Sequence, residues 1–151
     1  MNPTEITIEI MQLPGHEDLP LPAYETAHAS GMDVRAAITE AVTLTPGMRM
    51  AVPTGLCMAI PPGYEAQVRP RSGWALREGI TMINAPGTID ADYRGEIKVL
   101  LVNLGDAAVT INRGDRIAQI VFGPVVNVSW EKTVKLAKTL RGAGGFGHTG
   151  R

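Results

Sequence analysis

The chain contains few of the residues that build disulfides, metal cages and basic binding surfaces. Cys57 is the only cysteine among 151 residues, so neither an internal disulfide nor a thiolate-pair zinc motif can form. His16, His28 and His148 stand far apart and belong to no spaced ligand motif, so we expect no zinc site held by the protein. The net charge of -1 excludes a broadly basic surface of the kind that binds nucleic acid polymers.

Long apolar runs are also missing. No stretch is long enough to cross a bilayer, and residues 1–12 lack the charged start and continuous apolar middle of a signal peptide. We therefore expect a soluble cytoplasmic protein with no membrane partner. The composition is uniform along the chain, which indicates a single domain.

Glycine and proline dominate what is present. Seventeen glycines and eleven prolines leave little room for helices, and Val, Ile and Thr cluster in short runs between them. Turn signals at residues 45–47, 53–55 and 61–63 recur about every eight residues, which predicts an all-β, jelly-roll-like β-sandwich or barrel. The predicted strands are residues 4–12, 32–37, 48–52, 56–60, 64–68, 81–84, 97–103, 107–111, 116–122 and 125–130.

At most one short helix is predicted, at residues 74–78. Ser72 would be its N-cap and Gly79 would end it, and its first turn would offer free backbone N–H groups to an anion. Residues 131–140 have helical propensity but few anchoring side chains. A helix and a mobile or partner-supported arm both remain open there.

Residues 84–96, Asn-Ala-Pro-Gly-Thr-Ile-Asp-Ala-Asp-Tyr-Arg-Gly-Glu, are the most informative segment. They lie between two predicted strands, so they should form a hairpin-like connection that carries Asp90 and Tyr93. A carboxylate, an aromatic ring and an arginine close together are common in nucleotide sites, and loop residues on a rigid sheet often do chemistry. Asp90 and Asp92 are equally compatible with turn formers that bond their own backbone, and this segment alone does not decide.

Four further clusters carry candidate residues. Asp33 starts a predicted strand within residues 30–35, where it is either a solvated turn residue or part of a site. Residues 69–74 place two arginines and Ser72 beside Gly73. Gln119 lies on an apolar strand face, so it is either satisfied in the core or exposed to a site. Residues 141–151 contain five glycines, which suits a disordered end, but also Phe146 and two arginines, which suit a base and a phosphate.

Together, the order and spacing of these segments resemble the five motifs of the trimeric deoxyuridine triphosphate nucleotidohydrolases, the dUTPases. The resemblance covers most of the chain, and five ordered matches are far more specific than any one of them. His148 stands where many relatives carry serine, which affects only the phosphate contact of that residue. The matching motifs are Gly-Met-Asp-Val-Arg-Ala at residues 31–36, Pro-Arg-Ser-Gly at 70–73, the whole of 84–96, Gly-Asp-Arg-Ile-Ala-Gln at 114–119, and Arg-Gly-Ala-Gly-Gly-Phe-Gly at 141–147.

The resemblance implies hydrolysis of dUTP to dUMP and pyrophosphate, which limits uracil incorporation into DNA and supplies dUMP for dTMP synthesis. Asp90 would be the catalytic carboxylate that activates water for attack on the α-phosphorus. Mg²⁺ would arrive mainly on the triphosphate, with Asp33 touching one of its waters. The implied substrate-binding residues are Asn84, Gly87, Ile89 and Tyr93 for the nucleoside, Arg71, Ser72, Gly73 and Gln119 for the phosphates, and Arg141, Phe146, Gly147, His148 and Thr149 in a closing tail.

The resemblance also implies a homotrimer whose active sites are shared between chains. Residues 1–140 would form the β domain, and residues 141–151 its flexible glycine-rich lid. Three alternatives stay open: a dCTP deaminase or bifunctional relative, which shares the fold; a broader nucleoside triphosphate pyrophosphatase; and a non-catalytic nucleotide-binding trimer. A scaffold would need none of Asp90, Tyr93, Arg141 and Phe146, so their joint presence favours the enzyme.

Overall fold

Eleven short strands and one helix make up the regular structure of residues 5–145, which are the residues that the computed structural model describes. Residues 131–140, whose state the sequence leaves open, form neither a helix nor a strand. The elements are β1 (Glu9–Gln12), β2 (Met32–Arg35), β3 (Val42–Leu44), β4 (Arg49–Pro53), β5 (Leu56–Ala59), β6 (Tyr64–Arg69), α1 (Ser72–Glu78), β7 (Ile80–Met82), β8 (Gly87–Ile89), β9 (Lys98–Asn103), β10 (Val109–Ile111) and β11 (Arg116–Pro124).

The strands form two larger antiparallel sheets and two pairs. One sheet has the order β2-β11-β6-β8 and the other the order β4-β9-β7, while β1 pairs with β5 and β3 with β10. The all-β, jelly-roll-like prediction is confirmed. Over residues 5–145, no helix has the length and apolar character needed to cross a membrane.

The core lies where strand alternation turns apolar side chains inward from both larger sheets. Ile120 on β11 lies opposite Val68 on β6, and both are buried, while β9 buries Val99 and Leu101. These side chains belong to one continuous cluster, so the two sheets share a core. Its largest fully buried members are Leu44, Ile60, Ile80, Ile97, Leu101, Ile111, Ile117, Ile120, Val34, Val52, Val68 and Val99.

Several predicted elements differ from the structure. Residues 125–130, predicted as a strand, are irregular after β11 ends at Pro124, and the strand predicted at 4–12 is limited to β1. Ser72 is not the N-cap: Arg71 occupies that position in an extended conformation and makes no capping side-chain hydrogen bond, so Ser72 is the first helical residue. Gly79 ends α1 as predicted, in a left-handed conformation with φ of 68°. The strands β3 and β8 were not predicted.

A buried amide holds the loop after β9 against α1. Asn103 is fully buried, and its Nδ2 donates to the carbonyls of Leu44 and Ala107, both at 2.8 Å. Its Oδ1 accepts from the Gly105 N–H at 2.9 Å, so both ends of the amide are satisfied. The loop thereby lies close to the end of α1, where Leu104 N–H donates to the Gly79 carbonyl at 2.9 Å.

An arginine fixes the N-terminal loop to the turn before β11. Arg113 Nη2 lies 2.6 Å from Asp18 Oδ1 and also donates to the Gly15 carbonyl at 2.9 Å. The hydrogen bond from Arg113 lowers the pKa of the Asp18 carboxyl because it stabilises the ionised form. Asp18 is exposed and Arg113 is half-buried, so this partly solvated contact orders the loop without adding much stability.

Candidate functional site

The segment at residues 84–96 forms a hairpin connection, as predicted. Its stem is the antiparallel pair β7 and β9, in which Ile80 lies opposite Asn103 and Met82 opposite Leu101. Within the connection, β8 crosses to the other large sheet and pairs with β6, so that Gly87 lies opposite Val68. Anchored in both sheets, the connection is a stiff support for the side chains that it carries.

Asn84 and Gly87 approach each other closely at the start of this connection. A Cβ built on Gly87 would lie 3.2 Å from Asn84 Nδ2 and 3.5 Å from Met82 Cε, so a larger residue would displace the amide. Gly87 is buried and Asn84 is exposed. The Asn84 amide and the backbone of β8, which ends at Ile89, therefore border the same small space.

Asp90 and Tyr93 lie on a tight turn directly after β8. The Tyr93 N–H donates to the Asp90 carbonyl at 3.1 Å, and the Tyr93 hydroxyl donates to the Glu96 carbonyl at 2.9 Å. Gly95 is required by the ring, since a Cβ there would lie 2.6 Å from the Tyr93 hydroxyl. The ring is held by these contacts and is 44% exposed. It offers a rigid apolar face at the surface.

The Asp90 carboxylate is exposed and available. Within residues 5–145 it accepts no hydrogen bond and forms no ion pair, although its main chain is fixed by the turn. The turn-former interpretation required the side chain to bond its own backbone, and no such bond is present in this part of the chain. A carboxylate on a main chain fixed in this way can orient a water molecule.

A second group of side chains, here called the arginine cluster, consists of Asp33, Arg71, Arg116 and Gln119. Asp33 lies in β2 opposite Gln119 on β11. Its Oδ1 is 3.3 Å from Arg71 Nε and its Oδ2 is 3.1 Å from Arg116 Nη1, and its side chain is only 16% exposed. Arg71 Nη1 also donates to the Arg116 carbonyl at 3.1 Å. Asp33 is therefore an ion-paired strand residue, and it holds two guanidinium groups side by side.

Gln119, Ser72 and Gly73 complete the surroundings of this cluster. Gln119 is half-buried, and a Cβ built on Gly31 would lie 2.9 Å from its Oε1, so Gly31 leaves room for the amide. Ser72 is exposed at the first position of α1, next to Arg71. The site therefore combines guanidinium groups, a hydroxyl and an amide, all of which can donate hydrogen bonds to the oxygens of a phosphate chain.

The arginine cluster and Asp90 lie at different places on the four-stranded sheet. Asp33, Gln119 and Arg69 form one row across β2, β11 and β6, whereas Asp90 follows Ile89, which lies opposite Ala66. Asp33 and Asp90 are separated by three strand spacings across the sheet and by about four residues along it. This offset corresponds to a distance of about 20 Å. The two groups of one chain do not meet.

Arg141 lies beyond the sheets on an exposed turn. Its Nε donates to the Gly144 carbonyl at 2.8 Å, and the Gly144 N–H donates to the Arg141 carbonyl at 3.0 Å. Phe146, Gly147, His148 and Thr149 lie outside the described residues.

Arg116 was missed as a candidate, although it belongs to the motif at residues 114–119. The opposite charges of Arg116 and Asp33 were the sequence signal for an ion pair, but only the register of β2 against β11 brings the two side chains together.

A carboxylate and a tyrosine on an anchored turn, and a separate cluster of arginines, are the groups of a class of site that suits phosphoryl transfer on a nucleotide. Comparison with known proteins specifies the class. A dUTPase family model matches residues 17–150. The deoxyuridine 5'-triphosphate nucleotidohydrolases of Brucella melitensis biotype 2 and Brucella suis biovar 1 are each 58% identical over 146 residues, covering 95% of this chain and 93% of theirs.

Solved structures agree on the fold. A point mutant of the Staphylococcus bacteriophage 80alpha dUTPase with dUpNHpp superposes with a TM-score of 0.86 at 22% identity, covering 96% of this chain and 99% of that one. A mutant dUTPase from phage phi11 of S. aureus gives a TM-score of 0.77 at 22% identity, covering 88% of this chain and all of that one. The chain belongs to the dUTPase family.

Proposed function

We propose that Asp90 activates the water that attacks the α-phosphorus when this dUTPase hydrolyses dUTP to dUMP and pyrophosphate. The observation that carries the proposal is the exposed Asp90 carboxylate, which no described side chain neutralises, on a turn anchored in two sheets. Phosphoryl transfer asks the protein mainly for positioning and charge stabilisation, and a carboxylate on an anchored turn would supply the first. The reaction limits uracil incorporation into DNA and provides dUMP for dTMP synthesis.

The hairpin connection would select the nucleoside. Asn84 and the backbone near Gly87 and Ile89 would bond the uracil edge, in a space too narrow for the methyl group of thymine. The closeness of the Asn84 amide to where a Gly87 Cβ would lie supports a narrow space. Tyr93 would pack beneath the deoxyribose and leave no room for a 2′-hydroxyl, which is a steric form of rejection.

The arginine cluster would bind the triphosphate. Arg71 would donate to phosphate oxygens as a fork, with Ser72, Gly73 and Gln119 adding hydrogen bonds. The ion pairs with Asp33 keep the guanidinium groups in position before the substrate arrives. That is preorganisation, which reduces the cost of ordering side chains on binding.

Mg²⁺ suits this site only as an ion carried by the nucleotide. Within residues 5–145, no group of three or more His, Cys, Asp and Glu side chains is placed to hold a metal. Both oxygens of Asp33 already face arginines, so we expect Asp33 to reach the ion through water at most. The bound ion supplies charge neutralisation on the triphosphate. The phi11 dUTPase mutant is described with a structural Mg(II) ion.

Association into a homotrimer would bring the two halves of the site together. The 20 Å separation estimated above exceeds the reach of a triphosphate chain, so Asp90 of one chain would act on phosphates held by another. Residues 125–140 support association because they expose apolar side chains, among them Val126 at 84% and Trp130 at 94%. The same chain has a mainly apolar groove of about 1150 Å³ that could receive such an arm. Its lining includes Ile8, Ile10, Tyr24, Met32, Tyr64 and Phe122.

We also infer a cytoplasmic location, where the protein would meet its nucleotide substrate.

The tail would close over bound substrate, with residues 141–151 acting as the lid of the β domain formed by 1–140. Phe146 would stack on the base, and Arg141, Gly147, His148 and Thr149 would contact the phosphates. Closure excludes water other than the attacking molecule.

Removing the lid should separate folding from catalysis. A chain truncated before Arg141 should keep its thermal unfolding midpoint, because the removed residues lie beyond the last strand and core. We expect pyrophosphate release from dUTP to fall by about two powers of ten or more, the size of effect typical when catalytic positioning is lost. Full activity without the tail would contradict the lid.

Substrate selectivity tests the proposed pocket. With Mg²⁺ present, pyrophosphate release from dUTP should exceed release from dTTP, UTP and dCTP, measured side by side. Similar rates with all four would favour a broader nucleoside triphosphate pyrophosphatase. Ammonia release from dCTP would point to a deaminase, and binding without any turnover to a non-catalytic trimer.

A further inference from the structure

We propose that Arg77 is a further residue that binds the triphosphate chain of the substrate. This inference rests on the proposed role of Arg71, Ser72 and Gly73 in holding that chain. Arg77 lies in the last turn of α1, four residues after Gly73. Helical side chains lean towards the N-terminus of their helix, so residues four apart lie one above the other. A Cβ built on Gly73 would lie 3.0 Å from Arg77 Nη1, which places the guanidinium beside the phosphate-binding segment.

The charge of Arg77 has no counterpart in the described protein. Within residues 5–145, no carboxylate oxygen lies within 4.0 Å of its guanidinium nitrogens, whereas Arg71 and Arg116 both pair with Asp33. The adjacent acid on the helix, Glu78, accepts a hydrogen bond from Trp74 Nε1 at 3.1 Å instead. Arg77 is exposed, so its five N–H donors are open to a ligand.

The charge balance of the arginine cluster explains why another cation is useful there. Asp33 cancels part of the positive charge of Arg71 and Arg116 while it positions them. A triphosphate carries several negative charges, and arginine forks match phosphate oxygens well. Arg77 supplies positive charge next to Gly73 without an acidic partner. Its contact is with the outer phosphates, so it strengthens binding of the triphosphate and leaves the monophosphate unaffected.

The test compares two ligands on three variants. Binding of dUpNHpp, the dUTP analogue, and of dUMP is measured by titration calorimetry for Arg77→Met, Arg77→Lys and Arg49→Met. Arg49 is an exposed arginine on β4, in the sheet β4-β9-β7, and not in the sheet that carries the arginine cluster. It serves as the matched control for loss of one positive charge. Arg77→Met should weaken dUpNHpp binding about tenfold, the effect of one charge-assisted hydrogen bond. Its affinity for dUMP should stay unchanged.

The remaining readouts separate ligand binding from a structural effect. Arg77→Lys should lose less affinity than Arg77→Met because it keeps the charge but not the fork, and Arg49→Met should match the wild type. In turnover, Arg77→Met should raise KM for dUTP and leave kcat near the wild-type value. Thermal unfolding of each variant checks the fold, with Arg77→Gln as a second neutral variant should the methionine variant unfold.

Two results would overturn the role of Arg77. One is unchanged dUpNHpp affinity in the neutral variants, and the other is an equal loss for dUpNHpp and dUMP, which indicates a disturbed site. Failure of the proposed function looks different, because the wild-type protein itself would then release no pyrophosphate from dUTP, whether or not it binds dUpNHpp.

Discussion

Asp90→Asn should keep nucleotide binding and lose turnover. The substitution preserves the size of the side chain and leaves the turn intact, because the turn is closed by the Asp90 carbonyl and the Tyr93 N–H, not by the carboxylate. It removes the carboxylate that we propose takes a proton from the attacking water. General-base catalysis contributes about two to four powers of ten in rate, so kcat for pyrophosphate release should fall by that factor. The affinity for dUpNHpp should change little.

Asp92→Asn is the matched control for this experiment. Asp92 is an exposed carboxylate on the same turn, two residues further along the chain. Loss of its charge should leave both kcat and dUpNHpp binding near the wild-type values. Near-normal hydrolysis by Asp90→Asn, or an equal loss in the Asp92→Asn control, would remove the special role of Asp90.

Turn residues made most strand positions predictable. The strand β5 follows Gly55 and ends before Pro61, and β6 begins directly after Gly63, so local chemistry limits both. Alternation is hard to recognise over three residues, which is why β3 and β8 were not predicted. The three-residue strands β7 and β10 differ because they overlap the longer predicted runs 81–84 and 107–111.

The error at residues 125–130 has a separate physical cause. Val126, Val128 and Trp130 alternate as in a half-buried strand, yet all three are exposed in the single chain. The pattern of a sequence shows which side chains need burial but not whether the covering surface belongs to the same chain. Under the proposed homotrimer, a neighbouring chain would provide that surface.

The candidate site was predictable in composition but not in arrangement. The hairpin connection with Asp90 and Tyr93 followed from two strands and the turn residues between them, and it is confirmed as a structure. The ion pairs of Asp33 depend on the register of β2 against β11, which local sequence does not specify. Local sequence does not indicate Arg77, because its position beside Gly73 depends on the orientation of one flexible side chain.

The separation of Asp90 from the arginine cluster leads to the second large prediction. If each site combines the hairpin of one chain with the cluster of another, two inactive variants can restore each other. Asp90→Asn damages only the hairpin half, and Arg71→Ala damages only the phosphate half. Each homotrimer should be almost inactive, since each of its sites contains one damaged half.

Mixed trimers are obtained by unfolding and refolding the two variants together in equal amounts. They should regain about a quarter of the wild-type activity, because at random an intact hairpin meets an intact cluster in that fraction of sites. The control mixes Asp90→Asn with a chain that carries both substitutions. It should stay inactive, since no chain in it contributes Asp90. A site built within one chain predicts no recovery in either mixture, because every chain then carries its own defect. If the first mixture releases pyrophosphate no faster than its two parents, the active sites are not shared between chains. The estimated distance of about 20 Å between Asp33 and Asp90 would then have to be spanned within a single chain.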